Sequence, residues 1–135
     1  MYKKLDCISL ISAIQTKIKE KTGLNCYDAV PSNAVSPFYF AEIVQKESAD
    51  TKTMLRDLFT VNIHAIAKPS QSSVNIYELI NKLEEALTEE IELPSGYELI
   101  IQTENGLQAL KTDETNEKHA ILSYDFMVCY GLKFK

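Results

Sequence analysis

Residues 120–134 read AILSYDFMVCYGLKF, one position short of the last residue of the chain. Every second position gives Ala120, Leu122, Tyr124, Phe126, Val128, Tyr130, Leu132 and Phe134, and the interleaved register gives Ile121, Ser123, Asp125, Met127, Cys129, Gly131 and Lys133. A two-residue alternation is the period of a β-strand with one face in a core. At ~3.3 Å per residue such a strand runs to about 50 Å. A chain of 135 residues has a radius of gyration of roughly 14 Å. A straight strand would therefore overhang its own body. Either it bends through a bulge, with Gly131 the natural place, or its end meets another copy of the chain. Tyr130, Leu132 and Phe134 left in water would each forgo about 1.5–3 kcal/mol, and an open apolar edge invites aggregation. The expectation is self-association through these three residues.

Working back from this strand, the order of elements predicts an α+β fold. Residues 5–21 carry Ile8, Ile11, Ile14 or Gln15, and Ile18 at helical spacing, with Asp6 as N-cap and Gly23 as stop. Residues 24–30 predict a short strand, and prolines 31 and 37 bound a loop. Residues 38–45 and 55–67 predict two strands, the second with Phe59, Val61, Ile63, Ala65 and Ala67 on its buried face. Residues 74–90 predict a helix with Ile76, Ile80, Leu83 and Leu87 inside and Ser73 as N-cap. Residues 97–103 and 107–112 predict two strands joined by a turn at Asn105-Gly106, the dipeptide favoured in tight hairpins. The predicted order is α-β-β-β-α-β-β-β: a mostly antiparallel sheet with two helices packed on it, in a single domain spanning residues 1–135. Polar tips are expected at residues 46–54, with Lys46, Glu47, Asp50 and Lys52, and at residues 113–118, with Asp113, Glu114, Glu117 and Lys118.

Composition narrows the function. Hydrophobic residues at 45% and charged ones at 24% belong to a folded globular chain. A net charge of −5 argues against gripping nucleic acid by charge. No apolar run approaches the ~20 residues of a membrane span. The apolar stretch near the N-terminus is interrupted by Ser9, Ser12, Gln15 and Thr16, so a cytosolic origin is expected rather than a signal peptide. Cys7, Cys26 and Cys129 have no CxxC spacing, and read as small buried or half-buried hydrophobes.

No catalytic, cofactor or metal motif is present. His64 and His119 stand 55 residues apart without a clustered ligand pattern. Four glycines form neither a P-loop nor a dinucleotide fingerprint. Glu42 and Asp125 sit in apolar strands, and are read as facing solvent or pairing with a lysine across a subunit boundary. Tyr97, Tyr124, Phe126 and Tyr130 offer stacking surfaces for RNA, but the basic residues that would accompany them are sparse.

The stretch YDAVPSNAVSPFYFAEI, residues 27–43, resembles the tail completion or tail terminator (tail-to-head joining) proteins of long-tailed bacteriophages. The resemblance rests on a strand ending at Pro31, then a short loop, then Pro37 followed by Phe38 and Tyr39. FTVNIHAIA, residues 59–67, is similar to the family's next strand, with His64-Ala65 where an aromatic is expected. The resemblance implies a non-enzymatic structural protein of a phage or prophage virion, made in the bacterial cytoplasm. It implies a homo-oligomer, a hexameric ring, that caps the tail tube, halts its polymerisation and meets the head connector, with DNA passing through without specific binding. Read from the residues alone, the rival is a bacterial small-ligand or peptide-binding domain that dimerises through its last strand. An enzyme with a site between subunits is a more distant reading.

Overall fold

The computed structural model describes residues 2–114 and 116–133. Helix α1 spans Cys7–Thr22. Strands β1, Cys26–Tyr27, β2, Phe38–Ser48, and β3, Met54–Ile66, follow it. Helix α2 is Val74–Ala86, and β4, Glu98–Thr112, and β5, Lys118–Leu132, complete the order. The fold is α+β: five strands form one sheet in the order β1-β2-β3-β5-β4, with all pairs antiparallel except β1 with β2.

The sequence predicts one strand more than the described residues form. Asn105-Gly106 does not turn the chain. β4 runs straight through it, and Gly106 takes φ 99° at a register irregularity. The positive φ that suits glycine in a hairpin also serves a bulge, which is why the dipeptide misleads. The strand expected at 24–30 shrinks to two residues, because prolines 31 and 37 leave little room for a ladder.

Helix α1 is capped as expected. The Ser9 amide donates to Asp6 Oδ2 at 3.3 Å, and Gly23 closes the helix at φ 76°. Its buried stripe is rotated from the predicted one: Leu10, Ala13, Ile14, Lys17 and Ile18 face inward, while Ile8 is 78% exposed. Lys17 enters this stripe because its ammonium reaches Glu89 at 3.6 Å. In α2 the buried set is Ile76, Leu79, Leu83 and Ala86, and Ile80 packs at the margin. Ser73 gives no side-chain cap; Ser72 Oγ accepts from the Val74 amide instead. Both helices cover one face of the sheet. Tyr39, Phe59, Val61, Ile63, Leu122, Tyr124 and Phe126 fill the space between. The Tyr39 hydroxyl of β2 donates to the Leu79 carbonyl at 2.7 Å and ties α2 to the sheet.

β5 lies between β3 and β4, not at an edge. Its alternation is realised through Ala120, Leu122, Tyr124, Phe126 and Val128, all buried on the helix side. It then bulges: Arg56 pairs with Cys129 and Leu55 with Gly131, leaving Tyr130 extra. Cys26 and Cys129 are buried, but Cys7 is exposed, contrary to expectation.

Candidate functional site

The bulge of β5 is covered from within the chain at Tyr130 and Gly131. Residues 2–5 cross it as a strap. Leu5 is buried, Lys4 Nζ lies 6.0 Å from the Tyr130 ring centre and 3.6 Å from Asp57 Oδ1, and Tyr2 lies over Gly131. A Cβ at Gly131 would enter the Tyr2 ring, so glycine is what lets the strap lie flat. Of the three residues expected to bind another copy, Tyr130 is half-buried beneath this strap and Leu132 is 42% exposed. Phe134 lies outside the described residues. The sequence hides the strap because YKKL carries no periodic signal.

The polar tips project from opposite ends of the strands. One is the β2–β3 turn beside Met54 and Leu132, which are register partners. There Lys133 Nζ reaches Asp50 Oδ2 at 3.9 Å and the Thr51 carbonyl at 3.0 Å, with Lys52 exposed nearby. The other is the β4–β5 turn, where the Glu117 amide donates to Asp113 Oδ1 at 2.9 Å and Glu114 is exposed. The tips are shorter than predicted. Lys46 and Glu47 belong to β2, and Lys118 opens β5. Lys46 is not a tip residue: its ammonium bonds the Leu5 carbonyl at 3.3 Å and lies 5.2 Å from the Phe59 ring centre.

On the sheet face without helices, three strands bring together residues that the sequence keeps apart. Phe40 pairs with His64, and Ile66 with His119, so Glu42, His64 and His119 converge. His64 Nε2 is 2.7 Å from Glu42 Oε1, and its Nδ1 is 2.7 Å from His119 Nε2. With Glu42 ionised, His64 donates from Nε2, and its Nδ1 accepts the N–H of a neutral His119. The Phe40 ring stacks on His64 at 4.0 Å. Burial, and then the neighbouring His64 and Lys111, hold His119 below its ordinary pKa. Glu42 thus faces solvent, as expected, and its carboxylate partner is His64 rather than a lysine. Asp125 likewise has a partner of its own, the Thr60 hydroxyl at 2.9 Å. The chain of groups has no nucleophile in it, and among the described residues no set of three or more His, Cys, Asp or Glu side chains could hold a metal. No helix among them is long and apolar enough to cross a membrane.

Exposed apolar surface gathers at the sheet's two edges. On β4 stand Ile101 at 48%, Leu107 at 47% and Leu110 at 42%. At the β1–β2 edge stand Val30, Val35 and Val44.

The sequence model of a family described as "Putative tail termination protein" matches residues 1–135. The chain belongs to this family of phage tail proteins. It is a structural protein of a phage-type virion, as residues 27–43 and 59–67 suggest. Among solved structures, a chain from "Virion of native gene transfer agent (GTA) particle" is similar in fold. Its TM-score is 0.70 at 16% identity, over 94% of this tail protein and 99% of that chain. No curated protein matches.

Proposed function

We propose that this chain ends the growth of the tail tube. Copies of it form a ring, six in number as the resemblance implies, that caps the tube and presents its other side to the head connector. The full-length match to a tail termination family carries this reading. The disposition of the polar tips supports it. A cap must meet the tube on one side and the connector on the other, and the two turns leave the sheet at opposite ends. Asp50 and Lys52, with Leu132 beside them, serve one side; Asp113, Glu114, Glu117 and Lys118 serve the other. The net charge of −5 favours a channel through which DNA slides without holding. The chain is made in the bacterial cytoplasm and retained in the virion.

Deleting the chain from its phage tests the proposal. Tails of uncontrolled length and heads without tails are expected under electron microscopy. Tails of normal length with heads attached would overturn it.

A further inference from the structure

β3 carries a buried charge that the sheet leaves without hydrogen bonds. Asp57 pairs with Val128 in the ladder, so it points to the helix-bearing side. Its side chain is 2% exposed, and among the described residues neither carboxylate oxygen receives a hydrogen bond. A buried carboxylate ordinarily gathers N–H or O–H donors, because leaving water without them is costly. The ion-pair partner of Asp57 is the Lys4 ammonium, 3.6 Å from Oδ1, which is too far for a hydrogen bond.

Lys4 belongs to the strap, and the strap crosses the strands in their spatial order. The Leu5 carbonyl accepts from Lys46 of β2 at 3.3 Å, Lys4 meets Asp57 of β3, and Tyr2 lies over Gly131 of β5. The Lys4 carbonyl also accepts from the Tyr97 hydroxyl at 3.4 Å. Two effects hold the strap down. Leu5 is 1% exposed, and its burial favours the shut position. The Lys4 charge balances Asp57. One effect lifts the strap: water that reaches Asp57 supplies the donors that the chain withholds. Movement is cheap, since residues 2–5 belong to no helix or strand and no ladder has to break. Lys4 is itself 53% exposed, so it can exchange Asp57 for solvent without crossing the core.

We propose that residues 2–5 are a latch, shut while the Lys4 ammonium balances the buried Asp57 carboxylate and open, with Asp57 hydrated, once that balance is lost. The latch is a property of one chain and does not depend on the ring. Opening bares Tyr130 and Gly131 beside Leu132 and the β2–β3 turn, so this end of the sheet has two surfaces and not one.

NMR of the full-length protein, at a concentration where it is monomeric, reads the latch at Gly131. In the shut position the Tyr2 ring lies against the Gly131 α-carbon, and its ring current displaces the α-proton signal. Tyr2→Ala gives the undisplaced position. Lys4→Met keeps the apolar stem and removes the charge, which leaves Asp57 buried and unbalanced. It should lose most of the displacement, while the signals of Leu122 and Phe126 in the core stay in place. Adding Asp57→Asn to Lys4→Met removes the charge that lifts the strap, and should restore most of the displacement. Displacement retained in Lys4→Met would overturn the proposal, because Leu5 and the Lys46 bond would then hold the strap unaided. Displacement still lost in the double variant would overturn it too, because Lys4 would then act through its packing near Tyr130 and not through Asp57.

Discussion

β4 and β5 are both 15 residues long and pair with each other along nearly their whole length, yet they do opposite work. β5 has a strand on each side and keeps a clean alternation from Ala120 to Val128. β4 has a neighbour on one side only and slips register between Leu99 and Ile101, Glu104 and Gly106, and Leu107 and Ala109. Each slip bends and twists the strand, which discourages a further strand from docking on its backbone. The compositions match these places. YDFMVCY packs well on a half-buried pleat, whereas QTENGLQ is polar and contains a glycine, which weakens a strand interior. Length and pairing therefore do not decide a strand's role. What decides it is how many neighbours the topology gives it and which side chains it brings.

The largest effect should separate the two strands at a single cross-strand pair. Leu122 and Leu107 face each other in the ladder, one fully buried and the other 47% exposed. Leu122→Ala should cost about 2–5 kcal/mol, as deletions in a tight core do. Leu107→Ala in the isolated monomer should stay within about 0.5 kcal/mol. Urea unfolding at low protein concentration measures both. A large loss at Leu107 would mean that β4 is sealed within its own subunit and offers no surface.

A second experiment sharpens the contrast by finding what holds β4 in place. Half-buried Gln102 ties it to the segment after α2. Its amide donates to the Leu87 and Glu89 carbonyls at 2.9 Å each and accepts from the Ile91 amide at 2.9 Å. Gln102→Leu leaves those groups unpaired and should cost about 1–3 kcal/mol. Exposed Gln108→Leu, six residues along the same strand, should be neutral. Equal effects would show that β4 is held by its ladder alone.

The sequence made β5 legible because alternation over many residues leaves few choices, and Asp6 and Gly23 marked α1 for equally local reasons. It misled at Asn105-Gly106 because a local dipeptide cannot tell a turn from a bulge; only the pairing partner, Ser123, decides that. The helix stripe drifted for a related reason: Ile8 reads as core by type, but no element lies over it. The strap was out of reach, since its anchor is the size of Gly131 and not a pattern in residues 2–5. So was the convergence of Glu42, His64 and His119, which needs the registers of β2, β3 and β5 together.

The smallest expected effect tests that convergence, on the face of the sheet that neither helix covers. His119 binds its proton less tightly in the folded chain than in the unfolded one, because of burial, His64 and Lys111, with Asp113 and Glu42 opposing. A group with a depressed folded pKa lends stability that is present above the unfolded value and is lost as pH falls through the folded one. The protein should therefore weaken as pH drops from about 7 toward 5, the range where a histidine of ordinary pKa takes up its proton. His119→Gln keeps a donor toward His64 but removes the titration, so it should flatten that slope while leaving stability at pH 8 nearly unchanged. Thermal unfolding across this range measures it. A slope that survives in the variant would assign the effect to other groups. A loss already present at pH 8 would show that His119 matters for its packing beside Phe40 and not for its charge.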